Sequence, residues 1–165
     1  MNAVRIYADS VLLVNMDILL LLVPLIPLTA ASWIDLKTRE IPDVLSICVL
    51  LIGFVAATFG WAGIRWWMVL SGLAVGLIVG LALFRFAKFG GGDAKVIAGV
   101  GAVLGPVGIW FFLFWMALVG GVLALVARSR GQRDYAYGPA LLLGYIGYLI
   151  FPADIFSTIK ELMTY

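Results

Sequence analysis

Histidine is absent from this chain of 165 residues, and Cys48 is its only cysteine. The first absence removes His-based triads, and a single cysteine cannot close an internal disulfide. Together they remove zinc sites built from His and Cys ligands, and with them metalloprotease and thiol–histidine chemistry. Charge is scarce as well: Asp, Glu, Lys and Arg make up 12% of the residues, against roughly 25% in an ordinary soluble domain. A net charge of +2, with basic residues scattered through short loops, excludes nucleic acid as a partner. No cofactor is implied by what remains.

Apolar residues are what the chain has in abundance. They make up 64% of it, and the mean hydropathy is +1.14, more apolar surface than a water-soluble fold of this size can hide. The composition predicts an all-α integral membrane protein whose partner is the lipid bilayer. Apolar runs of about 20 residues, the length a helix needs to cross roughly 30 Å of hydrocarbon, suggest six spans, near 17–34, 44–60, 66–86, 94–105, 107–127 and 139–156. The fourth is short, about 18 Å at 1.5 Å per residue, and Pro106 stops or kinks it. Gly72, Gly76 and Gly80 repeat at four-residue spacing in the third span, as Ala94, Ala98 and Ala102 do in the fourth. Both stripes are flat faces on which helix backbones can approach closely.

The expected organisation is one membrane-embedded domain over 1–165, with 1–16 as an interfacial segment. A cleavable signal peptide is the competing expectation for the N-terminus, because Leu19 to Leu28 is an apolar core before Thr29-Ala30-Ala31. Against it, Arg5 is the lone basic leader residue and Asp9 and Asp17 separate it from that core. Lys37, Arg39, Arg85, Lys88, Lys95, Arg128, Arg130 and Arg133 fall on one side of this layout, and Arg5, Arg65 and Lys160 on the other. Loops rich in Lys and Arg stay in the cytoplasm, so both termini are expected outside. Tyr135, Tyr137 and the six tryptophans fit an interfacial belt.

Two carboxyls then share one membrane edge at the ends of different helices. Asp35 closes the first span in Ser32-Trp-Ile-Asp-Leu-Lys-Thr-Arg-Glu-Ile41-Pro42-Asp43, and Asp93 opens the fourth behind Gly90, Gly91 and Gly92. Singly, Asp93 reads as a helix N-cap and Asp35 as an interfacial charge. Jointly they suggest chemistry, because ionisable groups at membrane depth are costly and face a protein interior or a wet cavity. Two carboxyls in one site do not both ionise cheaply, so one keeps its proton and the pair is an acid beside a base. Such a pair can activate water and hydrogen-bond a scissile carbonyl. The glycines would let an extended peptide backbone approach.

These residues resemble a known family. Asp35, with Ile41-Pro42 beyond five intervening residues, and Gly90-Gly91-Gly92-Asp93-Ala94-Lys95, a GxGD motif, resemble the paired motifs of type IV prepilin peptidases, which include archaeal preflagellin peptidases. Tyr137-Gly138-Pro139-Ala140-Leu141 resembles the segment that opens the family's last span. The resemblance covers about residues 17–156. It implies that Asp35 and Asp93 are the catalytic pair, and that the substrates are prepilin-like or preflagellin-like membrane proteins cut between a basic leader and an apolar helix. Many bacterial members also carry a four-cysteine zinc domain and an N-methyltransferase activity. Without those cysteines, this sequence is expected to be a peptidase alone.

The remaining residues have plainer readings. Asp43 is expected to cap the second span, with substrate or water contact as the alternative. Lys95 is cytoplasmic charge that would also favour ionised Asp93, and with Asp43 and the three glycines it is a candidate substrate-binding residue. Ser157-Thr-Ile-Lys160 matches an SxxK pattern but falls on the opposite side from the aspartates. GGGDAK is no phosphate loop, because it lacks the GK[ST] ending and follows no strand. Two rivals to a peptidase stand at this point: a small carrier or channel subunit relaying protons or cations through the two carboxyls, and an assembly subunit without chemistry. The oligomeric state is not fixed by the sequence.

Overall fold

The computed structural model describes residues 21–60, 63–86, 90–131 and 136–151. The expected interfacial segment 1–16, the start of the first span, Trp61, Lys88, Arg133, Tyr135 and the Ser157–Lys160 pattern lie outside the described residues. Those described are helical, without a strand among them: α1 Leu25–Thr38, α2 Asp43–Phe59, α3 Trp66–Phe86, α4 Gly91–Ser129 and α5 Gly138–Ile150. Helices α3 and α4 are long and apolar enough to cross a membrane, and α2 and α5 are shorter apolar helices.

The helix limits have local causes. Pro24 interrupts the chain before α1. At the other end α1 runs past Asp35 to Thr38 and stops at Arg39, whose backbone is left-handed (φ 58°). Asp35 therefore sits in the last turn of its helix and does not end it. Pro42 precedes α2 in extended conformation, and Gly60 (φ 64°) closes it, its N–H reaching back to Ala56 and Ala57 carbonyls.

Helix α4 contains the largest departure from regularity. At Gly105 the backbone turns to φ 72°, ψ −178° just before Pro106, and two helices meet there without a loop. The first limb starts at Gly91, with Gly92 beside Ile41, and ends where Gly105 faces Met68. The second limb starts with Gly108 against Tyr148, passes Met116 against Gly144 and Gly120 against Ala140, and ends with Ala127 and Arg130 beside Arg39 and Pro139. The chain thus reverses at Gly105, next to Pro106.

The first limb is the centre of the bundle. From Asp93 to Val103 all its residues but Lys95 are buried. Its alanine stripe meets the glycine stripe of α3: a Cβ on Gly80 would lie 2.8 Å from the Ala94 carbonyl oxygen, one on Gly76 2.6 Å from that of Ile97, and one on Gly72 would collide with the Gly101 carbonyl. Ala102 departs from the pattern, since its backbone also faces Gly53 of α2, 2.8 Å from where a Cβ would stand. Backbone contact of this kind holds helices together where lipid is as apolar as any side chain.

Every helix contributes to an apolar exterior, with Ile26, Val44, Ile78, Phe114 and Leu125 among many large side chains left exposed. Such a surface suits lipid and not water. The ends of the helices form two poles. Lys37, Arg39, Arg85, Lys95, Arg128 and Arg130 lie at the pole of Asp35 and Asp93, whereas Arg65 precedes α3 at the other. Trp33, with the Lys37 ammonium 4.5 Å above its ring, marks the first pole, and exposed Trp66, Trp67 and Trp110 mark the second.

The stripe contact predicts that Gly72→Ala destabilises the protein by about 1–3 kcal/mol, the usual cost of overpacking. Gly121→Ala, with nothing within 4 Å of the added carbon, leaves stability unchanged or higher. Thermal unfolding of the two variants in detergent compares them.

Candidate active site

Four polar or charged residues are buried among those described: Ser32, Asp35, Ser46 and Asp93. Two of them are the carboxyls singled out in the sequence, each 5% exposed. Asp35 projects from the last turn of α1 toward the start of α5, where the Gly138 N–H donates to its Oδ2 at 2.6 Å. Only glycine fits there, because a Cβ at 138 would lie 2.8 Å from Ser32 Cα and 2.9 Å from Asp35 Cβ. The N-terminal turn of α5 thereby presents an otherwise unpaired N–H and its positive dipole end to the carboxylate.

Asp93 is held by a similar device. It lies three residues beyond Gly90, the N-cap of α4, so it is not the N-cap that its position first suggested. Its Oδ2 accepts the Gly90 N–H at 2.9 Å, the return half of a capping box. Its Oδ1 is buried and has no hydrogen-bond partner among the described residues. A buried acceptor without a partner costs about 1–3 kcal/mol, and Asp93 is one of the residues that line a cleft.

That cleft holds about 270 Å³ and is lined by Asp35, Arg39, Glu40, Ile41, Gly90, Gly91, Gly92 and Asp93. The two motifs far apart in sequence thus form one cavity at one pole. The three glycines serve different ends. A Cβ on Gly92 would stand 2.7 Å from the Ile41 carbonyl oxygen, so its bareness lets the chain pack on itself. One on Gly90 would meet the Asp93 carboxylate at 3.1 Å, and one on Gly91 nothing within 4 Å. Gly91 alone of the three has open space beside it.

Asp43 and Lys95 pair with each other. Lys95 Nζ lies 2.6 Å from Asp43 Oδ1, with both side chains more than half exposed. The lysine's charge goes to Asp43 and not to Asp93. Nor does Asp43 cap α2: Pro42 holds the N-cap position, and Asp43 is the first helical residue, its charge favourable to the helix dipole. Arg39, Glu40 and Ile41 were not singled out as site residues from the sequence, although they link Asp35 to the Ile-Pro pair. Thr38 organises this link: its hydroxyl donates to the Ile34 carbonyl at 3.0 Å and accepts from the Glu40 N–H at 3.4 Å.

Residues 22–125 match the profile of the type IV leader peptidase family. The chain belongs to this family. As a type IV leader peptidase family member it is 30% identical, over 138 residues, to the prepilin leader peptidase/N-methyltransferase of Neisseria gonorrhoeae, covering 77% of this chain and 46% of that protein. It is also 30% identical over 126 residues to the type 4 prepilin-like proteins leader peptide-processing enzyme of Escherichia coli O78:H11 (strain H10407 / ETEC), covering 72% of this chain and 46% of that one. The chain spans about half the length of these curated relatives. No solved structure matches it. The family match takes in both Asp35 and Asp93 and ends before Gly138.

Because Gly138 seats α5 on α1, Gly138→Ala is expected to raise amide hydrogen exchange at the start of α5, read by mass spectrometry. Gly91→Ala, which meets open space, leaves that segment as protected as in the parent. Equal protection in both variants would contradict the contact.

Proposed function

We propose that this chain is a membrane aspartic endopeptidase that removes the short basic leader of prepilin-like or preflagellin-like proteins at the cytoplasmic face. The observation that carries this reading is the pair of buried carboxyls, Asp35 and Asp93, lining one cleft from different helices. Family membership and the names of the two relatives support it.

In the proposed reaction one carboxyl is ionised and the other protonated. The ionised group takes a proton from a water whose oxygen attacks the scissile carbonyl carbon. The protonated group gives its hydrogen to the carbonyl oxygen as that atom gains charge. Collapse of the tetrahedral species breaks the C–N bond: the proton taken from water passes to the leaving amine, and one hydroxyl proton returns to the carboxyl that gave its hydrogen, restoring the singly protonated pair. The Gly138 and Gly90 N–H groups fix one oxygen of each carboxyl, so the other oxygens do the chemistry. Asp93 Oδ1, without a partner, is the acceptor for water or substrate. The carrier alternative requires carboxyls near mid-bilayer, and two carboxyls in terminal turns at one pole favour the peptidase.

Co-expression with prepilins from the same genome, with leader removal read on a gel, tests the reading. Asp35→Asn and Asp93→Asn are each expected to abolish cleavage nearly as completely as the double change, because residues sharing one proton and one water act as a unit. The parent's pH–rate profile has two limbs, since the active form is singly protonated and its macroscopic values belong to the pair. Either Asn variant cleaving near the parental rate, at parental abundance in the membrane, overturns the assignment.

The six-span layout with both termini outside belongs to the same proposal. The gathering of basic side chains at the aspartate pole supports it. Reporter fusions in the 36–42 and 128–138 loops are expected to report a cytoplasmic location. An external 36–42 loop would separate the cleft from a cytoplasmic leader.

A further inference from the structure

Beside the catalytic cleft lies a second cavity of about 260 Å³, between the end of α1, the end of α4 and the start of α5. Its apolar walls are Leu36, Leu123, Val126 and Pro139, and its polar lining includes Arg39 and Arg130. Neither arginine has an acidic partner among the described residues, where Lys95–Asp43 is the one ion pair. Arg39 lines both cavities. Leu36 and Val126 are 59% and 41% exposed, so the apolar wall opens on the same outer surface that faces lipid.

We propose that this cavity binds one anionic phospholipid, its phosphodiester between Arg39 and Arg130 and its first acyl carbons along Leu36, Leu123 and Val126. Two exposed guanidinium groups with no acidic partner among the described residues line the same cavity, and their planar donors match a phosphate. An apolar wall continuous with the outer surface suits an occupant with an acyl chain better than a free ion. A basic leader is excluded by charge. The occupant also bears on the cleft, because a phosphate that holds Arg39 fixes the residue beside Asp35 and Glu40. Arg39 is thus a positioning residue shared by the two sites.

This inference rests on the reading that the aspartate pole lies at the cytoplasmic membrane edge, so the test is binding and not cleavage. Native mass spectrometry of the full chain, released from neutral detergent micelles doped with phosphatidylglycerol or phosphatidylcholine, reports which lipid is retained. The expected result is one phosphatidylglycerol per protein in preference to phosphatidylcholine. Arg130→Gln lowers that retention about fivefold, the size expected for one basic side chain near an anionic lipid. Arg128→Gln removes the same charge from the same pole but lies outside the cavity, and leaves retention unchanged. Circular dichroism confirms that both variants keep the parental helix content. Equal losses in the two variants would mean diffuse attraction to the basic pole and overturn the site, as would equal retention of the two lipids. Failure of the peptidase reading would instead appear as uncut prepilin with lipid retention intact.

Discussion

The hydrogen bond from the Gly138 N–H to Asp35 Oδ2 joins residues 103 positions apart, and the rest of the aspartate pole depends on it. A carboxylate inside an apolar bundle needs fixed donors, since no bulk water is there to supply them. The start of α5 supplies one, but only if α5 can reach α1 at backbone distance. That in turn requires glycine at 138 and a second limb of α4 that brings the chain back to this pole. Asp35 is therefore placed by the full length of the fold, not by its neighbours in sequence.

Asp93 depends on a complementary constraint. Its helix is central and must meet α3 on one face and α2 on another at backbone distance, so small residues line both contacts. The packing of Gly92 on the Ile41 carbonyl ties the first turn of that helix to the link that follows Asp35. The two halves of the cleft are consequently in direct contact. The exposed Lys95–Asp43 pair adds little energy, on the order of 0–1 kcal/mol for such pairs, and acts at the rim of a junction that packing already closes.

Much of this was legible in the sequence, and the exceptions have physical reasons. Helix α3 appears with its expected limits because its apolar run is uninterrupted, and the break at Gly105–Pro106 was announced by the proline. The facing glycine and alanine stripes were visible as four-residue repeats, although their register, with Gly72 on Gly101 and Gly105, depends on tertiary contact. The two aspartates were legible as a pair, whereas the donors that hold them were not: a backbone N–H leaves no signature in composition, and Gly138 looks like any glycine before a proline. Asp43 was misread because a capping residue and the first helical residue are one position apart. The purpose of Gly92 was hidden because a glycine packed on its own chain and one kept bare for a substrate look alike in sequence.

The brevity of the first limb of α4 bears on how the bundle would sit in a bilayer. Between Gly91 and Gly105 the helix rises only about 20 Å at 1.5 Å per residue, well short of roughly 30 Å of hydrocarbon. A short element at the centre of a bundle is relieved by local thinning of the surrounding leaflets or by water reaching inward along its polar end. Asp93 stands at that end. Under the proposed membrane layout, that mismatch would set the carboxyls below the plane of the neighbouring headgroups, at the depth where an apolar substrate helix would first leave water.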